Sequence, residues 1–462
     1  MTDALVHYSS AQLRKAYADG AVSPVEVAEA ALARIGNLAD RYNVFSFLAP
    51  EDTLQMARRS EERWRKGEPL GNGDGIPVTI KDNMSVAGWP RQCGSLTVRQ
   101  EERSQTDSAC VARLREAGCI FLGKTTTPEF AWKGVGDSPL NGVSRNPWRT
   151  DLTPGGSSSG AAIAALLDMG VWHTASDAAG SIRIPSAFCG VQGFKPTFGI
   201  VPNFPASAFS SLGHHGPLAR NVTELAEMMA IISRPDSRDA TAAPPGLLDF
   251  RAPLEDGLQG KRIGYFRGDG NVDPEILEVL DRTLRLCEDL GAVVDEIHVD
   301  FADAREQIEC YWRVGCALLM DSVPAELRPL VDPGLAEKGR QGKAVSGMEL
   351  RAVQLRREDL ASSLNLLHDS YDFVVTPVVP IQPFQSGRDV PPGSDFKEWI
   401  DWAPFSYPFN LTHQPTASVT CGLTRSGLPT AMQIVGRRFS DRAVLAAAAA
   451  FEQACPPVAV RI

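Results

Sequence analysis

The sequence predicts an α/β fold in which helices cover a large, mostly buried β-sheet. Short β-branched or apolar runs alternate with amphipathic stretches along most of the 462 residues, and this rhythm is typical of helices layered against a sheet. The composition is that of a globular protein, with 43% hydrophobic and 22% charged residues. The length suits one large domain or two to three ordinary ones. We favour one domain because the alternation continues past the long connection over residues 234–259.

The N-terminal region, residues 9–66, is predicted to be helical. Around Ser23, a serine N-cap precedes a proline at the first helical position and a glutamate that reaches back, so a helix is expected from there to about Ile35. A second amphipathic helix is expected over residues 51–66, before glycines at 71–75 break the pattern.

Residues 76–220 are predicted to form the core of the domain. A β-branched run over 76–80 predicts a strand that ends at Lys81, and a strand end is a place where a scaffold holds a side chain firmly. The further elements expected here are a helix over 107–117, a strand over 119–122, an apolar run over 188–195 and a helix over 221–232.

The C-terminal region, residues 260–462, continues the same alternation. It comes after a stretch rich in Pro, Ala, Gly and Asp, residues 234–259, which we interpret as a surface connection. The expected elements are a strand over 262–266, a helix over 274–290, a strand over 293–299, a mostly helical segment over 301–368, a strand over 373–376, a proline-rich loop over 377–395, strands over 417–420 and 431–435, and a helix over 442–454. Together the regions predict a single domain spanning 1–462.

Charge and cysteine usage exclude several classes of protein. The net charge of −10, from 46 basic and 56 acidic residues, argues against a general nucleic-acid binder. No stretch reaches the roughly 18 apolar residues of a membrane span, so we expect a cytoplasmic protein without a membrane segment. The nine cysteines include no CxxC pair and are expected to be buried thiols, with neither disulfides nor a zinc site. A homodimer is compatible with the sequence, which does not fix the oligomeric state.

Residues 118–125 match the phosphate-loop pattern GxxxxGK[ST] letter for letter. A phosphate loop needs a flexible segment whose amides surround the phosphate, and then a helix. Here the four residues between the glycines are apolar, and Pro128 interrupts the segment where that helix would have to begin. We therefore interpret the match as the end of a helix and a buried strand after it.

Residues 156–160 match the nucleophile-elbow pattern GxSxG, with Ser158 at its centre. In an α/β-hydrolase a buried strand leads into this elbow. The preceding segment contains Pro147 and Pro154, and prolines remove the donors that such a strand needs. The sequence therefore disfavours Ser158 as a nucleophile.

The stretch over residues 154–181 has small residues and hydroxyls at both ends of a short apolar segment. This composition predicts a helix and a short strand that fold back, so that loops carrying Ser157 and Ser181 meet. A serine becomes nucleophilic when a base takes its proton, and Lys81 can be that base only when neutral. To lower the pKa of a lysine from about 10.4 to about 7, its surroundings must disfavour the charged form by roughly 4 kcal/mol. Successive amides among the small residues 177–181 are suited to hold an oxyanion.

These segments resemble the amidase signature family. The residues that carry the resemblance are 78–83, 123–130, 155–158, 177–186, 188–190, 193–197, 216–220, 407–412 and 433–438. The resemblance implies one domain built on a large, mixed, twisted sheet of about eleven strands with α-helices on both faces. It also implies that neither a metal nor a cofactor takes part.

The resemblance further implies a Ser-cisSer-Lys triad. In it, Ser181 attacks the amide carbonyl, Ser157 relays the proton and Lys81 is the base. The implied oxyanion donors are the backbone amides of Ala178, Ala179, Gly180 and Ser181. The sequence departs from the commonest family pattern at Ser159, at the alanine pair 178–179 and at residues 213–214, where many members have aspartate.

Four residues are candidates for the substrate pocket: Trp132, Ser158, Phe209 and His214. For the two aromatic residues, a place in the core is the alternative; for His214 it is packing within its loop. Asp177 is expected to orient the oxyanion loop by hydrogen bonds, with Arg183 as its partner.

The function predicted is an amidohydrolase that cleaves a linear, small-molecule carboxamide to carboxylate and amine through an acyl-enzyme on Ser181. The alternative is the glutaminase subunit of a tRNA-dependent amidotransferase. A non-catalytic binding protein is a third hypothesis. It would require the loss of a triad residue, and all three are present.

Overall fold

The computed structural model of the protein describes residues 2–255, 257–268 and 270–460; the outer limits of the predicted domain, residues 1 and 462, lie outside this range. The helices are α1 (Thr2–Leu5), α2 (Ser10–Ala18), α3 (Pro24–Tyr42), α4 (Pro50–Lys66), α5 (Ala109–Glu116), α6 (Ser159–Leu166), α7 (Arg183–Cys189), α8 (Val222–Ile232), α9 (Pro274–Asp289), α10 (Ala304–Ser322), α11 (Pro333–Gly342), α12 (Gly347–Leu367), α13 (Pro408–Leu411) and α14 (Asp441–Ala454). The strands are β1 (Phe45–Leu48), β2 (Pro77–Lys81), β3 (Ile120–Thr125), β4 (Asp137–Ser138), β5 (Gly142–Val143), β6 (Trp172–Asp177), β7 (Gln192–Lys195), β8 (His214–Ala219), β9 (Arg262–Tyr265), β10 (Val293–Glu296), β11 (Phe373–Pro377), β12 (Thr416–Leu423) and β13 (Pro429–Gly436).

Eleven of these strands form one mixed sheet, and β4 and β5 form a separate antiparallel pair. The order across the large sheet is β1-β3-β2-β6-β8-β7-β12-β13-β11-β9-β10. Strands β3, β2 and β6 are parallel neighbours, as are β11, β9 and β10. The pairs between β6 and β11 are antiparallel. The mixed, eleven-stranded sheet implied by the family resemblance is therefore confirmed.

Helices flank the sheet, as strand β13 shows directly. Successive side chains of a strand point to opposite faces. Met432 and Ile434 of β13 belong to the same buried apolar cluster as Val444 of α14. Between them, the side chain of Gln433 accepts a hydrogen bond from Arg183 of α7. The sheet thus has α14 against one face and α7 against the other.

Strand β2 places Lys81 in a fully buried position of the sheet. All five of its residues are buried, and it lies between the parallel strands β3 and β6. A strand covered on both faces has a continuous apolar sequence, which is why residues 76–80 were recognisable. The apparent phosphate loop is a buried strand, β3, preceded by a turn at Gly118, so the strand interpretation of residues 118–125 is confirmed.

Helix α3 begins as predicted and ends later. Ser23 and the glutamate three residues on form the expected capping box. The helix passes the predicted end at Ile35 because Ile35, Ala39 and Tyr42 continue one buried stripe at helical spacing. It stops at Asn43, whose left-handed backbone closes the helix.

The sequence prediction missed four strands, β1, β4, β5 and β8, and merged two elements. Strand β1 lies at the edge of the sheet and has no alternating burial. Strand β8 contains Gly216 and Pro217, which are typical of turns, yet it pairs with β6 over residues 214–218. The apolar run 188–195 divides at Gly190, whose φ of +73° ends α7 before β7 begins.

All nine cysteines are free thiols, and all except Cys455 are buried. Within the described ranges, no helix is both long and apolar enough to cross a bilayer. Residues 234–259 carry neither helix nor strand in their described part, in agreement with the predicted surface connection.

Candidate active site

A cavity of about 240 Å³ lies where strands β2 and β6 end. These strands are parallel, so their carboxyl ends, Lys81 and Asp177, lie at the same edge of the sheet. Ser157 and Ser181 both line the cavity. The two serine loops singled out in the sequence therefore meet at one site, next to the end of β2.

The Lys81 ammonium group is enclosed by serine hydroxyls. Its side chain is fully buried, and Nζ lies 2.7 Å from Ser157 Oγ, 2.9 Å from Ser158 Oγ and 2.9 Å from Ser176 Oγ. Burial lowers the pKa of Lys81 to about 7, although the Asp177 carboxylate opposes this shift. The amine is thus neutral in a substantial fraction of molecules near neutral pH.

The hydrogen-bond directions distinguish Ser157 from the other two hydroxyls. Ser158 Oγ donates to the Ser176 carbonyl at 3.3 Å, and Asn83 Nδ2 donates to Ser176 Oγ at 3.0 Å. Both hydroxyls can then accept the two N–H bonds of a neutral Lys81 amine. Its lone pair is left for the O–H of Ser157, which is the geometry needed to remove a proton.

The structure corrects the placement of Ser158 in the substrate pocket. Ser158 immediately precedes α6, is fully buried and is not among the described residues that line the cavity. Its hydroxyl is held between Lys81 and the Ser176 carbonyl. No strand lies between β5 and Ser158 in the described chain, which agrees with the interpretation that residues 156–160 are not a nucleophile elbow.

Ser181 faces the cavity from the opposite loop. It is 3% exposed, and its carbonyl accepts a hydrogen bond from the Ser158 amide at 3.2 Å. This bond ties the two serine loops together. The Gly156–Ser157 peptide bond is cis.

Asp177 organises the loop that carries the predicted oxyanion donors. Its carboxylate accepts from the amide of Gly180 at 2.7 Å and from the amide of Ile182 at 3.1 Å. The Gly180 amide therefore points at Asp177, which corrects its predicted role as an oxyanion donor. The amides without an acceptor among the described residues of this loop are those of Ala178, Ala179 and Ser181.

Gly180 has a conformational role instead. Its φ is +128°, and a Cβ atom here would lie 2.7 Å from both Ile184 Cδ1 and Ser406 Cβ. Only glycine fits this backbone without displacing its neighbours. The close approach lets the loop fold tightly over Asp177.

A buried guanidinium holds Asp177 in place. Arg183 donates to both carboxylate oxygens, from Nε at 2.9 Å and from Nη2 at 3.0 Å. Its other contacts are the Ser406 carbonyl at 2.8 Å, Gln433 Oε1 at 3.0 Å and Asn410 Oδ1 at 2.6 Å. Burial alone would raise the pKa of Asp177, but the Arg183 charge keeps that pKa below its usual range. The expected pairing of Asp177 with Arg183 is confirmed.

Sequence reasoning missed the roles of Asn410 and Gln433. Asn410 Nδ2 also donates to Asp177 Oδ1 at 2.8 Å. Both residues lie in C-terminal segments that carry the family resemblance, but no spacing relates them to residues more than 220 positions earlier. Their buried polar side chains were the available signal.

Two of the other predicted pocket residues line the cavity, and one does not. Phe209 and His214 are part of its wall, and Phe209 stacks on Trp312 with ring centroids 4.1 Å apart. Trp132 is absent from the described lining residues. Its carbonyl accepts from Trp312 Nε1 at 2.9 Å, and its ring packs next to Gly334. The core alternative is therefore the correct one for Trp132.

The described residues contain no group of three or more His, Cys, Asp or Glu side chains arranged to hold a metal ion. Of the ionisable groups at the cavity, Lys81 is held by serine hydroxyls and Asp177 by Arg183. The site as described offers a buried lysine, two serines and free amides.

This combination on an eleven-stranded mixed sheet defines a class of hydrolase. A family model described as Amidase matches residues 26–445. The chain therefore belongs to the amidase family and is an enzyme that hydrolyses amide bonds.

Particular relatives agree with this assignment. The chain is similar to an acylamidase of Rhodococcus erythropolis, with 33% identity over 466 residues that cover 99% of this chain and 97% of the relative. It is also similar to a glutamyl-tRNA(Gln) amidotransferase subunit of Symbiobacterium thermophilum, with 32% identity over 480 residues and 96% of each chain covered. The fold is similar to a solved bacterial aryl acylamidase of the amidase signature family, with a TM-score of 0.91, 27% identity and coverage of 97% of this chain and 96% of that one.

Proposed function

We propose that the protein cleaves linear, small-molecule carboxamides to a carboxylate and an amine or ammonia through an acyl-enzyme on Ser181. The observation that carries this proposal is the buried Lys81 amine, with a pKa lowered to about 7, at 2.7 Å from the Ser157 hydroxyl. A neutral amine in this position supplies the base that a serine nucleophile requires.

In the acylation step, Ser181 Oγ attacks the amide carbonyl carbon. Its proton passes to Ser157 Oγ, while the Ser157 proton passes to Lys81 Nζ. The carbonyl oxygen becomes an oxyanion, and its hydrogen-bond donors in this proposal are the amides of Ala178, Ala179 and Ser181, which have no acceptor among the described residues. When the intermediate collapses, the C–N bond breaks and the leaving nitrogen takes a proton back along the same path.

In the deacylation step, water replaces the departed amine. Its proton passes through Ser157 to Lys81, and its oxygen attacks the ester carbon. Collapse of the second intermediate breaks the bond to Ser181 Oγ, which regains a proton, and releases the carboxylate. No step requires another co-reactant.

Covalent labelling tests the assignment of the nucleophile. A fluorophosphonate should add one group per chain, mapped by peptide mass spectrometry to Ser181. Ser181→Ala should abolish the label, while Ser158→Ala should keep it. A label that maps to Ser158 would contradict the proposal and restore the elbow interpretation.

Turnover tests the base. Ser181→Ala and Lys81→Ala should each lower kcat/KM by about 10⁴-fold or more, since the members of a catalytic set act as a unit. Circular dichroism would verify that the variants fold. Unchanged turnover in both variants would exclude the mechanism.

A glutaminase subunit of a tRNA-dependent amidotransferase is the second candidate. The observation in its favour is the 32% identity to such a subunit over 96% of both chains. Glutamine hydrolysis that appears only when partner subunits are added would support it. Sustained hydrolysis of aryl or aliphatic amides by the isolated chain would support the amidohydrolase.

We further propose that the chain acts in the cytoplasm as one domain, with a small amide as its ligand. The support for one domain is that β12 and β13, from the C-terminal region, pair into the middle of the large sheet.

Light scattering after gel filtration would give the oligomeric state: about 50 kDa for a monomer, from the chain mass of 49.9 kDa, and twice that for a homodimer.

A further inference from the structure

Strand β8 carries a histidine that the proposed reaction does not use. His214 is the first residue of β8, and it pairs with Asp177 at the end of β6. It is 3% exposed and lines the same cavity as Ser181. His214 therefore flanks the loop over residues 178–181, where the carbonyl oxygen of a substrate would be held.

The surroundings of His214 determine where its proton lies. Nδ1 is 2.7 Å from the Leu212 carbonyl, and a carbonyl oxygen can only accept, so Nδ1 carries a hydrogen. Asn410 Nδ2 is 3.4 Å from Nδ1, but it donates at shorter range to the Asp177 carbonyl, at 3.0 Å, and carboxylate, at 2.8 Å. Burial lowers the pKa of His214 well below its usual range, although the Asp177 carboxylate opposes this shift. The ring is thus neutral, and Nε2 has a bare lone pair.

That lone pair has no partner within the described part of the protein. Nε2 of His214 is buried and makes no hydrogen bond with any described residue. A buried acceptor left without a donor costs about 1–3 kcal/mol in general. A donor on a bound ligand would remove this cost.

The charges around the cavity restrict the ligand further. Among the described residues that line it, Arg91 is the only lysine or arginine and Asp177 the only carboxylate. Both oxygens of Asp177 are occupied by Arg183 and by amides of its own loop. His215, also in the wall, is neutral because burial lowers its pKa to about 4. No free carboxylate in this part of the chain awaits an ammonium group.

We propose that His214 is a specificity-determining residue, whose Nε2 accepts a hydrogen bond from an O–H or N–H on the acyl portion of the substrate. The preferred substrates are then amides whose acyl group carries such a donor and no ammonium group. This inference rests on the proposed function. The acyl side is assigned because the leaving nitrogen must face Ser157 and Lys81, which return its proton.

Three anilides that differ in one group test the inference. Their acyl groups are 2-hydroxypropanoyl, 2-methylpropanoyl and 2-aminopropanoyl, which place O–H, CH₃ and NH₃⁺ at the same position. At pH 7, release of aniline should give a kcat/KM at least about 10-fold higher for the hydroxyl than for the methyl compound, because sites built for a donor reject analogues without one. The ammonium compound should be the slowest.

Variants assign the preference to His214. His214→Phe should bring the hydroxyl-to-methyl ratio close to one, and His214→Gln, which keeps an acceptor, should restore part of it. His368→Phe is a matched control, since His368 is a buried histidine that does not belong to the cavity lining. It should keep the wild-type ratio.

Binding separates this inference from the proposed function. Calorimetric titration of the three anilides into Ser181→Ala should give the same order of affinity without hydrolysis. If the affinities follow this order but the wild-type enzyme hydrolyses none of the three anilides, only the proposed reaction is contradicted. Equal affinities and rates, a preference for the ammonium compound, or a ratio unchanged in His214→Phe would overturn the role of His214.

Discussion

As the proposed base, Lys81 has to meet two requirements. A base must be neutral to accept a proton, and a buried amine must keep its hydrogen bonds. Burial at the end of β2 meets the first requirement, and three serine hydroxyls within 2.9 Å meet the second. The Asp177 carboxylate raises the pKa of Lys81 and so limits the shift. The resulting pKa of about 7 suits a general base at neutral pH.

The pH dependence of turnover can be derived from this value. Because only neutral Lys81 accepts a proton, kcat/KM should rise about tenfold per pH unit below pH 7 and level off above it. The rate of anilide hydrolysis between pH 5 and 9 measures this limb. Glu452→Gln is the control, since burial raises the pKa of that carboxyl to about 7 as well, away from the cavity. A limb that moves in this variant, or one that titrates below pH 6, would contradict Lys81 as the base.

Comparison with Lys81→Met should show how much the buried lysine lowers the free energy of unfolding. The folded pKa of about 7 lies below the unfolded value of 10.5, so between these values the unfolded chain binds more protons. Wild-type stability should therefore rise with pH in this window, by at most about 1.4 kcal/mol per unit relative to Lys81→Met. Urea unfolding at pH 7, 8 and 9 measures the difference. A difference that does not change with pH would contradict the prediction.

At the scale of single residues, the candidate catalytic side chains were predictable. Lys81, Ser157 and Ser181 stand out because their residue types and spacing serve few structural purposes. The two serines line one cavity, and Lys81 contacts Ser157. The Gly180 amide was assigned wrongly because its direction is set by the Asp177 side chain. Trp132 was misplaced because a tryptophan in a core and one in a pocket have the same sequence signature.

At the scale of elements, the junction between β6 and α7 holds the site. The strand ends at Asp177, and the helix begins at Arg183. The ion pair between these two residues therefore fixes the loop that connects the two elements. Its outer contacts, Asn410 and Gln433, come from α13 and β13. The loop geometry depends on elements that are remote in sequence.

Arg183→Met should destabilise the fold by about 3–5 kcal/mol, because it leaves the buried Asp177 carboxylate without its counter-charge. Arg183→Lys should recover only part of the stability lost in Arg183→Met, since a lysine ammonium cannot reproduce the five N–H donors of the guanidinium. Urea unfolding measures both. The matched control is Arg149→Met, which removes a pair exposed on both sides and should therefore cost far less stability. Equal losses in the two methionine variants would contradict the role of Arg183.

Elements with a regular pattern were predictable, and those with breakers were not. The capped helices and the apolar strand β2 obey local rules that the sequence displays. Strand β8 does not follow such local rules, because pairing with β6 holds Gly216 and Pro217 in an extended strand. Position 216 requires glycine, because a Cβ there would lie 2.2 Å from the Phe194 carbonyl oxygen. Close approach of this kind is a property of the assembled sheet.

At the scale of the whole molecule, the order of the strands was beyond sequence reasoning alone. Alternation of helices and strands indicated the class, while the family resemblance supplied the mixed sheet. Strand order depends on contacts between distant segments, such as β12 from residues 416–423 pairing with β7 from residues 192–195. Such contacts leave no local signal in one chain.

This interleaving predicts how the protein responds to a break in its surface connection. A protease site inserted between Pro245 and Gly246, both exposed, would divide the chain into two fragments. The fragments should remain associated, because β12 pairs with β7 across the break and Asn410 contacts Arg183. Gel filtration after cleavage should show one species that keeps most of its amidase activity, and calorimetry should show one unfolding transition. Separation of the fragments without denaturant, or two resolved transitions, would show that the halves are independent and would contradict the one-domain proposal.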